Sequence, residues 1–143
     1  MLIDANVLIY SVDETSVHHR VAHDWLNAAW NGSQRVALPW QTIGAFVRIT
    51  THPKISSNPL SAKAAWQLVE SWLELDVVWI PPTTAATARI FGTLLQKSQV
   101  TANLVTDAQL ASIAIECGIA VVSFDSDFAR FPECRWLNPA HEA

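Results

Sequence analysis

Four aspartates stand where different apolar segments of this chain end or begin, and together they could hold a cation. Asp4 closes the short apolar run Met1-Leu2-Ile3. Asp107 lies in the opening turn of an apolar helical pattern, while Asp125 and Asp127 follow the apolar run Ile119 to Ser123. Carboxylates gathered in one crevice repel each other and raise each other's pKa, so they are tolerated together only with a cation or shared protons. Hard divalent ions such as Mg²⁺ or Mn²⁺ take oxygen ligands of this kind, with waters and substrate phosphates completing the shell. Such an ion lowers the pKa of water and orients it for in-line attack on phosphorus, which is phosphodiester hydrolysis without a side-chain nucleophile. Each acid alone has a plainer reading. Asp4 after a strand is equally a helix N-cap, Asp107 can simply favour its helix dipole, and Asp125-Ser126-Asp127 can be a solvated Asx turn.

The elements that must position these acids alternate between strand and helix patterns. After Asp4, Ala5 to Val12 reads as a first helix and Asp13 to Ser16 as a polar turn. A longer helix is expected from near Val17 to Asn31-Gly32, with Val21, Trp25 and Ala28 on one face. His19 and His23 lie one turn apart on it, but no third ligand stands near them in sequence to complete a zinc site. Arg35 to Leu38 reads as a second strand closed by Pro39, and Trp40 to Thr51 as a helix ended by Thr51-His52-Pro53. Lys54 to Leu60 has the composition of a loop and is the best candidate for a mobile flap or a boundary between two helical parts. Ser61 caps a helix to about Leu75, Val77 to Ile80 is a third strand, and Thr84 caps a helix to about Gln99. Thr106 and Gln109 have capping-box spacing, which predicts a helix starting at Thr106 and closed by Gly118. Ile119 to Ser123 is a fourth strand and Arg135 to Leu137 a short edge strand. This alternation predicts an α/β fold with a parallel sheet, right-handed crossovers and helices on both faces. In such a doubly wound sheet all four acids map to the carboxyl edge, where open α/β sheets hold ligands.

Composition sets further bounds. The chain has 143 residues, half of them hydrophobic, which suits one globular domain over residues 1–143. A formal charge of -4 is the wrong sign for holding nucleic acid on a broad basic surface. Cys117 and Cys134 lack zinc-site spacing and read as reduced thiols. No basic leader precedes the first apolar run and no stretch is long enough to span a membrane, so a cytoplasmic protein is expected. Seven Trp is many for this length; core or oligomer contact is the default role for them, and nucleic-acid stacking the minority one.

The chain resembles the PIN-domain ribonucleases, and more narrowly the VapC-type toxins of type II toxin-antitoxin pairs. The resemblance rests on Leu2 to Leu8, on Thr50-Thr51-His52-Pro53, on Asn103 to Ala108 with its helix, and on Asp125 to Phe131, in the family's order. It implies a three-layer α/β/α fold with a central parallel sheet of about five strands in the order 3-2-1-4-5. It further implies a Mg²⁺-dependent endoribonuclease in which Asp4 and Asp107 bind Mg²⁺, Asp125 completes the acidic cluster and Asp127 is a looser member. Asn6 and Ser123 match polar positions that orient waters or ligands. The implied partners are a VapB-type antitoxin, whose C-terminal segment covers the crevice, a second copy of the chain in a homodimer, and an RNA substrate such as tRNA or rRNA. Candidate phosphate contacts are Arg48, Lys54, Arg130 and Arg135. One departure stands out, because many PIN domains carry a Glu in the helix after the second strand and the aligned residue here is Ala45.

Two other classes fit parts of the pattern. The absent Glu suits an interaction module that keeps the fold and the antitoxin contact without catalysis. The run Asp4-Ala5-Asn6-Val7-Leu8 is one residue away from the Asp-x-Asp pattern of haloacid-dehalogenase-like phosphatases, but Asn6 cannot transfer a proton.

Overall fold

A computed structural model describes residues 1–142. Its five strands form one parallel sheet in the order β3-β2-β1-β4-β5. They are β1 (Leu2–Ile3), β2 (Val36–Ala37), β3 (Val78–Trp79), β4 (Val121–Val122) and β5 (Trp136–Leu137). The helices are α1 (Ala5–Val12), α2 (His19–Trp30), α3 (Trp40–Thr50), α4 (Ala62–Leu73), α5 (Ala85–Lys97) and α6 (Leu104–Cys117). The expected architecture and strand order are therefore those observed.

Alternation along each strand builds two cores, one on each face of the sheet. Leu2, Ala37 and Val121 point into the layer formed with Leu94 of α5 and with Ala108, Leu110, Ala111 and Ile113 of α6. Their neighbours Ile3, Val36 and Val122 point the other way, toward Val7, Leu8, Leu26, Ile43, Phe46 and Trp72 of α1 to α4. A period of two places successive side chains on opposite faces, and a sheet covered on both sides must be apolar at every strand position. That is why β1 and β4 read as unbroken apolar runs.

Side chains fix how the helices enter and leave. Ser61 and Thr84 accept from helix backbone N–H groups at the starts of α4 and α5, as the sequence predicts. The Thr84 and Thr87 hydroxyls both donate to Glu116, tying the start of α5 to the end of α6. Gly118 closes α6 at φ 67, a left-handed conformation that costs glycine little. The Lys54 to Leu60 loop is held at both ends, by Ser56 N–H to the His52 carbonyl at 3.0 Å and Leu60 N–H to the Thr50 carbonyl at 2.8 Å.

Two helix starts differ from expectation. α2 begins at His19 because Asp13 and Ser16 carbonyls close successive turns that carry the chain past Val17, which is 91% exposed. Its buried stripe is Ala22 and Leu26, one residue on from the expected face. α6 begins at Leu104, so Thr106 lies inside the helix and makes no cap. The reciprocal capping box occurs instead at Thr84 and Thr87 of α5.

Phe46 is fully buried and meets Trp72 edge to face, with centroids 5.0 Å apart. Phe46→Ala is expected to cost about 3–5 kcal/mol. Urea unfolding should show a lower midpoint at an unchanged m-value; an unshifted midpoint would remove Phe46 from the core that holds α3 to α4.

Candidate metal centre

The carboxyl edge of the sheet gathers the four aspartates from β1, α6 and the turn after β4. Asp4 ends β1 and caps α1, its Oδ1 accepting from Ala5 N–H at 2.7 Å. Its Oδ2 accepts from the Ser123 hydroxyl at 2.7 Å. Asp125 caps the 3-10 turn Ser126–Arg130 by accepting from Asp127 N–H at 2.8 Å. Asp107 stands in the first turn of α6. One carboxylate oxygen from each of Asp107, Asp125 and Asp127 lies within 4.8 Å of the others.

Ser123 is the junction of this edge. Its buried hydroxyl accepts from Asn6 Nδ2 and from Asp125 N–H, both at 2.9 Å, while donating to Asp4. The Asn6 amide is used at both ends, because its Oδ1 also accepts from Phe124 N–H at 3.2 Å. The backbone of Ser123 is fixed as well, its N–H bonded to the Leu137 carbonyl and its carbonyl to Trp136 Nε1. A chain of hydrogen bonds thus joins α1, β1, β4, β5 and the turn that carries Asp125.

The charges are strained. Burial pushes the Asp4 carboxyl above its ordinary range, against the lowering effect of its bonds from Ser123 and Ala5. Burial, then the charges of Asp4, Asp125 and Asp127, pushes Asp107 up to about 7. A group of oxygens that cannot all be ionised at neutral pH without help has the donor chemistry a hard divalent cation needs. Asp4 stands outside the tightest trio with a hydrogen bond on each oxygen. A carboxylate has about four lone-pair sites, so these bonds leave it able to ligate.

Of the four candidate cations, Arg130 alone is bonded to an acid of the cluster among the described residues. Arg130 reaches Asp127 Oδ1 at 3.2 Å, a pairing whose signal was the Asp-x-x-Arg spacing. Arg135 donates to the Gly118 carbonyl at 2.7 Å, ahead of β5 and so at the amino edge, away from the acids. Arg48 and Lys54 are exposed. His19 bonds the Tyr10 carbonyl through Nδ1 and its ring lies 5.8 Å from that of His23. Among the described residues the two join no cluster of three ligands. Sequence reasoning missed Thr42, whose buried hydroxyl donates to the Ile3 carbonyl at 2.7 Å and pins α3 beside Asp4. A threonine in the first turn after a strand was its only signal.

A parallel sheet in this order with an acid cluster on its carboxyl edge is the arrangement of a known family, and the PIN domain model matches residues 1–133. The chain belongs to the PIN-domain family. It is 40% identical to Ribonuclease VapC37 of Mycobacterium tuberculosis over 96% of each chain. It is 34% identical to Ribonuclease VapC33 of the same organism over 97% of each. Among solved structures it is similar to VapBC2 from Rickettsia felis bound to a promoter DNA fragment, with a TM-score of 0.70 at 16% identity over 96% of each chain. It is also similar to Mycobacterium tuberculosis VapC20, a sarcin-ricin loop cleaving toxin, with a TM-score of 0.65 at 17% identity over 90% of this chain and 92% of that one.

The raised Asp107 pKa makes a stability test. Without metal the folded state holds this proton more tightly than the unfolded chain, where the ordinary value is 3.8. The contribution is therefore complete below about pH 4 and lost as pH rises through about 7. In chelator, the melting temperature of wild type should fall between about pH 5 and about pH 8 more steeply than that of Asp107→Asn. The variant should be the more stable at the upper end by about 1 kcal/mol, since half-exposure screens the effect. Parallel pH profiles would remove the strain assigned to Asp107.

Proposed function

We propose that this protein is the toxin of a type II toxin-antitoxin pair and acts as a Mg²⁺-dependent endoribonuclease, with Mn²⁺ able to replace Mg²⁺. The observation that carries this reading is the convergence of Asp107, Asp125 and Asp127 within 4.8 Å beside a half-buried, doubly bonded Asp4. It is supported by full-length similarity to proteins named ribonucleases. The use of both ends of the Asn6 amide inside the fold counts against a phosphatase, whose second acid would stand at that position.

In this reading Asp4, Asp107 and Asp125 hold the ion, with Asp127 as the looser member. A divalent cation bound there supplies a lowered pKa for water and positive charge toward phosphate oxygens. The chain's own residues set the geometry. Ser123 aims Asp4 while its accepted bonds fix Asp125, and Asn6 holds Ser123 in that rotamer. Arg130 restrains Asp127. With Ala45 where many relatives carry Glu, α3 adds no carboxylate at that position, and the load on the remaining acids is greater.

The substrate is RNA, with single-stranded loops of tRNA or rRNA preferred because their bases and backbone can be reached. Arg48 and Lys54 remain free to meet phosphates. The chain works as one domain, as a homodimer in the cytoplasm; no helix among the described residues is long and apolar enough to cross a membrane. The partner that silences it is a VapB-type antitoxin. A cavity of about 660 Å³ runs beside α1 from Asn6 past Ile9 and Tyr10 to Asp13 and Glu14, with Ile49 and Leu60 opposite. Its apolar walls and acidic rim suit a basic, apolar antitoxin segment that ends among the acids.

Antitoxin-free protein mixed with total RNA should give discrete fragments in Mg²⁺ and none in chelator. Asp4→Asn and Asp107→Asn should abolish them, and Ser123→Ala should slow cleavage by about 10- to 100-fold. Cleavage that persists at the wild-type rate in both aspartate variants would refute the assignment. Intact RNA after incubation with folded wild type would point to a binding module instead.

A further inference from the structure

Trp40 is 68% exposed, more so than the other tryptophans, while its helix neighbours Thr42, Ile43 and Phe46 are buried. As the first residue of α3 it adds nothing to that helix's core contact. Its place in the sheet is specific. Leu2 is in register with Ala37, which sets Asp4 level with Pro39 and puts Trp40 one residue further along the same edge. Neighbouring strands are about 4.8 Å apart, so the Trp40 backbone is within about 10 Å of Asp4. One nucleotide spans a gap of that size.

The position is also rigid. Pro39 precedes it, Ile43 N–H bonds the Pro39 carbonyl at 3.1 Å, and the buried Thr42 hydroxyl fastens this turn to the Ile3 carbonyl at 2.7 Å. With its backbone held, an aromatic side chain has only two torsions to restrict when a flat ligand lands on it. The electrostatics leave a need for one. The chain carries a formal charge of -4, the edge is lined with aspartates, Arg130 is spent on Asp127, and Arg135 is bonded at the opposite edge. Of the four candidate phosphate contacts only the exposed Arg48 and Lys54 are left, and two such contacts add little affinity for an RNA strand. Base stacking on an aromatic side chain supplies affinity that no like charge opposes.

We propose that Trp40 is a stacking platform for an unpaired base of the RNA, one nucleotide or so from the phosphate that the acid cluster receives. The proposal rests on the ribonuclease reading above. Trp40 acts on substrate position and sequence preference, and takes no part in moving protons.

The test uses the full-length, antitoxin-free protein as wild type, Trp40→Ala and Trp40→Phe. The substrate is a short single-stranded RNA containing a mapped cut site, with a matched set bearing one abasic position each. Trp40→Ala should raise KM about tenfold or more with kcat little changed, and Trp40→Phe should recover most of the loss. One abasic position near the cut should weaken wild type and cost Trp40→Ala nothing further. Fluorescence anisotropy of the same labelled RNA in chelator should show the same loss in binding. Unchanged KM and binding in Trp40→Ala would overturn the proposal. So would a Trp40→Ala protein that sediments as a smaller species, since Trp40 would then be a contact between copies. Wild type that binds but never cuts, with binding lost in Trp40→Ala, would refute the nuclease while upholding the stack. Wild type that neither binds nor cuts would refute both.

Discussion

The hydroxyl of Ser123 makes three hydrogen bonds at once, and the shape of the acid cluster follows from them. Two are accepted, from Asn6 and Asp125, and one is donated, to Asp4. A hydroxyl has one proton and two lone pairs, so this junction is saturated by its three neighbours. The group is fully buried, where an unmet polar atom costs about 1–3 kcal/mol. Losing any one partner would strand another. A single side chain thus couples the end of β1, the first turn of α1 and the turn after β4, and β5 holds that side chain's backbone in register.

Such coupling is needed because the acids oppose their own assembly. Asp107 carries a carboxyl pushed up to about 7 by burial and by its three neighbours. Like charges on Asp125 and Asp127 repel those of Asp4 and Asp107. The Ser123 junction, the Asp125 cap and the Arg130 pairing with Asp127 act against that repulsion. The site keeps unfavourable charge in place by hydrogen bonds from neutral donors more than by opposite charge. Among the described residues only one cation, Arg130, is paired with an acid of the cluster. A site arranged this way is strained without a cation and relieved by one, a common balance between stability and function.

The acids and the alternation of elements were legible because each rests on a local rule. An apolar run ending in Asp marks a strand delivering a carboxylate, and Ser61 and Thr84 mark helix starts by their own chemistry. Strand order came from family resemblance, since which of five short strands lie side by side is decided by long-range packing. The misread starts have a common cause. At Thr106 the capping-box pattern was present, but Thr101 and Ala102 carbonyls accept from Leu104 and Val105 N–H, so the helix was already running two residues earlier. At Val17 the helical spacing was present, but two successive turns delayed the start. Patterns of side chains predict where a cap could be; the backbone bonds of the preceding turn decide where it is.

The cap that Asp4 makes to α1 is compatible with the proposed ligand role, since both of its oxygens keep lone pairs. The cap bond to Ala5 N–H points Oδ1 along α1 and the Ser123 bond fixes Oδ2, so the carboxylate is held in one orientation. A ligand that must hold a cation benefits from that fixity, because orientation is already settled before the ion arrives. The same logic extends to α3, where Thr42 fastens the helix to the carbonyl just before Asp4. Ala45 removes a carboxylate from α3, but the helix still sets the position of what lies at its start. The edge is therefore built so that acids and helix starts cannot move independently, and a change at Asp4 is felt along the whole crevice.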